Sequence, residues 1–358
     1  MSLVLTGPLA TPRMLQVLGL QGTDVQLGGR LLGGARAGLD RDGWPALVPG
    51  PEPLAGVEVT PNAKLDRYAA VMGLRPQDHQ GQLVMGVAPQ GEGAMWAFDD
   101  AQDLLAAEIA AQVLAAPPDV CADSLAMRLP MIGIWAGSRL RAQSMEPSGG
   151  DLVARRPAGA VTMLRGRQPF AGFFAVEERQ LTHALHEGGE SRPMIREGFM
   201  MGDAVVVLPW DPVRDRVTVI EQFRFAPALR GDPQPWLLEP VAGRVDAGET
   251  VEEAARREAL EEADLRLDRL VPCFHAYPSP GAVCEFLYQF IGIADLPDGC
   301  AGIHGLEGEA EDIRGHLLPR ARLSAMVDAG EITNGPLATL SLWLDARADR
   351  LRAELAGA

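Results

Sequence analysis

Residues 243–265 read GRVDAGETVEEAARREALEEADL. On a helix, positions four apart lie about 40° apart around the axis, so Glu258 and Glu262 share a face that Glu261 borders. Carboxylates this close repel one another unless a cation lies between them. An all-oxygen cluster suits a hard divalent ion, Mg²⁺ above all when a phosphate completes the octahedron. Arg257 is placed to hold a neighbouring glutamate, with Glu249 the candidate. The plain alternative is a solvated acidic helix steadied by the i,i+4 pairs Glu252–Arg256 and Glu253–Arg257. A second acidic stretch, GIHGLEGEAEDIRGH (302–316), sets Glu307, Glu309, Glu311 and Asp312 between glycines. Such a segment could close over bound metal and deliver a base. His275 and His304, near these loops, read as structural. Cys284 reads as core, and the Met131–Trp135 stretch as helix packing.

These residues need a helix laid on a sheet. Val251, Ala254, Ala255 and Ala259 give the helix over about 250–263 a small apolar face. Two apolar runs around Asp211–Asp215 predict a β-hairpin, and CEFLYQFIGIA predicts another strand. Two helices are expected to close the chain. The second starts at Asn334-Gly335-Pro336 and buries Leu337, Leu340, Leu344 and Leu351. Upstream, residues 1–100 alternate short apolar runs with Gly/Pro turns, the pattern of a small, mostly β domain. A helix is predicted over 101–116, ended by Pro117-Pro118, and a second helical stretch over 119–144. EPSGGDLVARRPAG reads as a linker, and FAGFFAVEERQLTHALHEGG as a hairpin region.

Composition narrows the partners. At 358 residues the chain fits two domains. With 48 Asp+Glu against 32 Lys+Arg the net charge is −16, the wrong sign for a nucleic-acid binder. The four cysteines include no CxxC pair, against a structural zinc site or a disulfide framework and in keeping with a reducing cytoplasm. No apolar run approaches the ~20 residues of a membrane span, and the first residues lack the pattern of a secretory signal.

The 243–265 segment resembles the Nudix box, G-x5-E-x7-R-E-U-x-E-E-x-G-U, at every defined position but one. Asp264 stands for the last glycine, a place that asks for a left-handed backbone, which Asp tolerates. The resemblance runs from about Phe170 to the C-terminus and is similar to the ADP-ribose pyrophosphatase branch in VIEQFRFAP (219–227), PWLLEPVAGRVDAGE (235–249) and HAYPSPGAVCE (275–285). Pro280 lies fifteen residues beyond Leu265, as that branch requires. The implied fold is α+β, with a C-terminal α/β/α sandwich on a mixed sheet over 165–358.

By position, the resemblance implies that Glu258 and Glu262, supported by Glu261, hold Mg²⁺ (Mn²⁺ in its place) with the Ala242 carbonyl and Glu311. Arg257 is catalytic together with Glu258, Glu262 and Glu309, Glu309 taking the place of the general base, and Gly243 belongs to the substrate site. Arg224 grips the diphosphate. Arg196 and Glu285 belong to the substrate site, and Phe173 and Phe174 reach across a homodimer towards adenine. The implied reaction is Mg²⁺-dependent hydrolysis of ADP-ribose to AMP and ribose 5-phosphate by a cytoplasmic enzyme. The alternatives are a pyrophosphatase for another nucleoside diphosphate sugar and a non-catalytic ADP-ribose sensor.

Residues 1–118 are similar to a γ-glutamylcyclotransferase-like domain, through TGPLATPRMLQVLG (6–19), WPALVPGPE (44–52) and LDRYAAVMG (65–73). Thr6-Gly7-Pro8-Leu9 replaces the family's substrate loop, and Ala69 stands where its glutamate belongs. A methyl group cannot shuttle a proton, so the domain is expected to be silent. Residues 119–164 are then a helical connector and linker.

Overall fold

The computed structural model describes residues 2–88, 93–146, 151–153, 155–305 and 312–357. The chain forms two compact units, Met1–Met201 with Asp246–Gly248, and Gly202–Val245 with Glu249–Ala358.

The first unit begins with β1 (Leu3–Thr6), α1 (Pro12–Leu18), β2 (Gly22–Leu32), β3 (Ala46–Val59), α2 (Ala63–Met72), β4 (Arg75–His79) and β5 (Gln82–Gly86). Its sheet has the order β2-β3-β1-β5-β4, parallel only between β1 and β5. The expected small β-rich region is therefore present. Residues Gly7–Leu9 make a 3-10 turn, and Ala69 is buried on α2. Next come α3 (Asp100–Ala115), α4 (Ala122–Met127) and α5 (Leu129–Ser144). Asp99 caps α3 by accepting from Ala101 N and Gln102 N at 2.8 and 3.0 Å. The helical stretch expected over 119–144 is two helices, because Pro130 lacks the N–H that continuing α4 would require.

Three antiparallel strands complete this unit: β6 (Val161–Ala171), β7 (Ala175–His183) and β8 (Met194–Met200). The β6–β7 hairpin matches expectation. The boundary expected at 164/165 falls inside β6, and the spatial one at 201/202 follows β8. Phe174, Ala175 and Met200 pack on Met131, Ile134 and Trp135 of α5, which ties them to the first unit. The packing role expected for Met131 and Trp135 is what the helix shows.

The second unit holds β9 (Ala204–Asp211), β10 (Arg216–Phe223), α6 (Phe225–Arg230), β11 (Trp236–Glu239), β12 (Val241–Arg244), α7 (Val251–Ala263), β13 (Arg269–Ala276), β14 (Val283–Cys284), β15 (Leu287–Ile293), β16 (Ile303–His304), β17 (Ile313–Pro319), α8 (Arg320–Asp328), α9 (Gly335–Asp345) and α10 (Ala348–Ala356). The main sheet runs β13-β15-β9-β10-β17-β16, with β11 on β10 and β12 on β9. Only β15–β9 is parallel, so the sheet is mixed. Strand β9 is buried throughout because both its faces are covered. Val205 and Val207 pack with Ala254, Ala255 and Ala259 of α7, while Val206 and Leu208 pack with Leu337, Leu340 and Leu344 of α9. This is the expected α/β/α sandwich.

Two details differ from the sequence reading. Three helices close the chain, and the one expected from Asn334 through Leu351 breaks at Ala346-Arg347. Cys284, expected in the core, is exposed in the two-residue β14, and the longer strand begins only at Leu287. Among the described residues no helix is long and apolar enough to cross a membrane.

Candidate active site

Helix α7 is fixed at both ends by its own sequence. Thr250 Oγ1 accepts from Glu253 N at 3.2 Å, and Glu253 Oε2 accepts from Thr250 N at 2.9 Å, a closed capping box. At the other end Asp264 adopts φ 51°, ψ 37°, the left-handed conformation its place demands. Asp264 N and Leu265 N then donate to the Leu260 and Ala259 carbonyls, each at 3.0 Å.

The small face of α7 lets it lie close to β12. Gly243 stands opposite Val205 in the sheet, on the side facing the helix. A Cβ at Gly243 would lie 1.9 Å from Glu258 Oε1, so only glycine leaves room for that carboxylate. Glu262 is 3% exposed, and its Oε2 accepts from Ala242 N at 2.9 Å. A strand residue's N–H and C=O leave on the same edge, so the Ala242 carbonyl shares the side that carries Glu262. Carboxylate and carbonyl oxygens gathered here fit the donor set of a hard cation.

Arg257 organises the remaining acids. Its Nε and NH2 grip the two oxygens of Glu249, each at 3.0 Å, which is the pairing the sequence suggested. NH1 donates to Glu258 at 2.7 Å and to Glu261 at 3.0 Å, and NH2 also reaches the Arg244 carbonyl at 2.9 Å. Burial lowers the Arg257 pKa, but the Glu249 hydrogen bond and the Glu258 charge outweigh it and leave it raised. With every nitrogen engaged in holding acids, Arg257 is a positioning residue. The i,i+4 pairs of the acidic-helix alternative are not made. Glu253 closes the capping box, and Arg256 donates to the Leu267 carbonyl. Among the described residues no three His, Cys, Asp or Glu side chains form a cluster that could hold a metal ion. Glu258 and Glu261 lean on Arg257 instead.

The other expected residues fall at varying removes. Glu285 pairs with Arg244 at 2.5 Å, which links it to the end of β12 beside Gly243. Arg224 donates to Glu239 through Nε at 2.9 Å and NH2 at 2.6 Å, with its side chain 41% exposed. Glu239 is buried and also accepts from Gln222 and Asn334. Arg196, Phe173 and Phe174 belong to the first unit. There Arg196 donates to the Ile195 carbonyl, Phe173 is 73% exposed, and Phe174 packs against Phe199 at 5.2 Å. Glu309 and Glu311 lie outside the described residues. The sequence reading missed Arg244 and Glu239, although a charged residue next to the box glycine and one acid within the apolar run WLLEPVAG were the available signals. His275 packs against Tyr288 with ring centres 5.1 Å apart and accepts from Gln289 N at Nδ1, in keeping with a structural role. Burial lowers its pKa.

Fold and site together define a class: an α/β/α protein whose carboxylate-bearing helix packs on a short strand. Residues 200–330 match the NUDIX domain model. Over 187 residues the chain is 41% identical to the ADP-ribose pyrophosphatase of Escherichia coli K12, covering 52% of this chain and 88% of that protein. The Haemophilus influenzae ADP-ribose pyrophosphatase is 38% identical over 178 residues, 49% of this chain and 81% of that one. A GDP-mannose pyrophosphatase of Yersinia enterocolitica is 32% identical over 151 residues, 42% and 78% of the two chains. A solved structure of an ADP compounds hydrolase is 19% identical with a TM-score of 0.41, covering 54% of this chain and 98% of its own. The chain belongs to the Nudix hydrolase family.

Proposed function

We propose that the protein hydrolyses ADP-ribose to AMP and ribose 5-phosphate with the help of Mg²⁺. The observation that carries this reading is the placing of Glu258 and Glu262 on one face of α7 against Gly243 and Ala242. The 41% identity to an ADP-ribose pyrophosphatase supports the choice of substrate.

The divalent cation, when bound, neutralises the diphosphate and polarises its P–O bond. The protein's part is to hold the acids still. Glu258 and Glu262, supported by Glu261, present their oxygens beside the Ala242 carbonyl, with Glu311 as a further ligand. Arg257 fixes Glu249, Glu258 and Glu261, so the acids need little rearrangement as the substrate arrives. Arg224 steadies the charge on the phosphoryl oxygens. Glu309 takes the proton of the attacking water, a role assigned from its place in the sequence. Glu285, Arg196, Phe173 and Phe174 contact the substrate, the phenylalanines across a homodimer. The setting is cytoplasmic. Residues 165–358 carry the activity, 119–164 connect, and 1–118 form a γ-glutamylcyclotransferase-like module that Ala69 leaves silent.

The test is release of AMP from ADP-ribose by the purified chain with and without Mg²⁺, beside GDP-mannose and other nucleoside diphosphate sugars. Metal-dependent AMP release with ADP-ribose preferred supports the proposal. A preference for GDP-mannose, or stabilisation by ADP-ribose without product, overturns it.

A further inference from the structure

We propose that Arg128, at the junction of α4 and α5, is a positioning residue for the nucleoside end of the substrate, holding the β6–β7 turn so that Phe173 faces outward. The inference rests on the reading of Phe173 as a substrate contact. It adds a residue that lies upstream of the family-like stretch, which begins at about Phe170.

Residues 172–174 join β6 to β7, and Ala171 pairs with Ala175 at the base of the turn. Gly172 N donates to the Phe174 carbonyl at 2.8 Å, which closes it. The two phenylalanines then part ways. Phe174 packs with Met131, Ile134 and Trp135 of α5, and its ring lies 5.2 Å from that of Phe199. Phe173 is 73% exposed and meets Phe174 edge-on, ring centres 4.9 Å apart. So little of the Phe173 ring is buried that core packing does not hold it. Its place is set by the turn beneath it, and an outward aromatic face is what stacking on a base requires.

Arg128 supplies a hold on that turn. Its own backbone is fixed, since its N donates to the Leu125 carbonyl at 3.0 Å and its carbonyl accepts from Ile132 N at 2.9 Å. Its Nε donates to the Gly172 carbonyl at 3.1 Å, and its guanidinium carbon lies 5.7 Å from the centre of the Trp135 ring. Among the described residues no carboxylate pairs with this guanidinium, and its NH2 is buried without an acceptor. A half-buried cation with one neutral partner costs more than an apolar side chain of similar length. The helices do not account for it either. Arg128 ends α4 and precedes α5, where the two helix-end dipoles act on a cation in opposite senses. What the guanidinium achieves here is a directed N–H on the carbonyl next to Phe173.

The experiment compares steady-state rates of the full chain on ADP-ribose with Mg²⁺ for Arg128→Met, Arg128→Lys, Phe173→Ala and the double variant R128M/F173A. Met keeps the stem beside Trp135 and removes the donor and the charge, and water can replace that donor at the partly exposed Gly172. R128M should raise KM about fivefold and change kcat by less than about twofold, the mark of lost binding rather than lost chemistry. Its melting temperature should hold or rise, because an unpaired charge has gone. R128K, which keeps a donor, should recover part of the affinity. F173A should raise KM roughly 10-fold, and the double variant should add nothing to F173A, because Arg128 acts through Phe173. The proposal is overturned if R128M leaves KM unchanged while F173A raises it, or if the two effects add. It is equally overturned if R128M melts well below the wild type or fails to fold, which would mark Arg128 as structural. An unaltered chain without turnover, or an F173A variant with unchanged KM, instead removes the substrate reading itself, and this inference with it.

Discussion

Two acid–arginine networks lie in the second unit, built from the same side chains in different proportions. At α7, Arg257 meets Glu249, Glu258 and Glu261, while Glu262 accepts from the Ala242 backbone N–H. At the β9–β10 turn, Asp211 and Asp295 meet Arg214, while Asp215 meets Arg320 and Arg352, and Arg320 also meets Asp345. Arg352 also meets Asp349, so three arginines serve five aspartates there and join the turn to α8 and α10. The α7 network gathers more acid around each arginine, with Glu249, Glu258 and Glu261 on Arg257 and Glu262 beside them. Crowding carboxylates of which one, Glu262, is buried costs energy that a bound cation would offset. The proportion, more than the number of ion pairs, separates the site from the scaffold.

Removing an acidic charge at α7 should have the largest effect. Glu262→Gln keeps an oxygen for the Ala242 N–H but loses the charge, so folding should survive while kcat/KM for ADP-ribose falls by roughly 10³-fold, several kcal/mol of lost charge stabilisation. Activity within tenfold of the wild type, with melting unchanged, would show that the acids at α7 are only structural. Next comes Gly243→Ala, whose methyl would displace the Glu258 carboxylate. A shift of about 1 Å costs on the order of 10²-fold in rate, measured as kcat/KM alongside an unchanged circular dichroism spectrum. A smaller effect is expected from Arg257→Gln. Loss of the hydrogen bonds to carboxylates should cost about 1–3 kcal/mol, and saturating Mg²⁺ should restore part of it by taking over the neutralisation. Denaturation with and without Mg²⁺ reads both, and equal losses in the two conditions would mean that arginine and cation do not share the same acids.

The sequence made the site legible to the extent that it is local. The spacing of Gly243, Glu249, Arg257, Glu258 and Glu262 within one strand–loop–helix unit fixes their neighbours through helical geometry, and Asp264 in the glycine's place marked the left-handed end. Long-range partners left weaker traces. Nothing in 219–227 announces that Arg224 would rest on Glu239, or in 275–285 that Glu285 would rest on Arg244, because sheet register sets those pairs. The hairpin around Asp211 was visible, but its strands stay together for only two residue pairs before each takes other neighbours. The break at Ala346-Arg347 had no Gly or Pro to mark it. The split at Pro130 did, but the apolar run on either side masked it.

The turn network supplies the smallest prediction and the control for the others. Burial pushes the Asp215 carboxyl up, but the Arg320 hydrogen bond, the Trp210 N–H and the charges of Arg320 and Arg352 more than reverse this, so its pKa lies below the usual carboxylate range. A depressed carboxyl stabilises the fold fully above its unfolded-state pKa of about 3.9. That contribution fades as pH falls from there through the folded-state value. Asp215→Asn should therefore melt below the wild type at pH 7, and the gap should narrow as pH drops below about 4. Turnover of ADP-ribose at pH 7 should be unchanged, because the charge lost here ties the turn to α8 and α10 and pairs with none of the residues proposed for the site. If turnover fell as far as it does for Glu262→Gln, the two networks would not differ in kind.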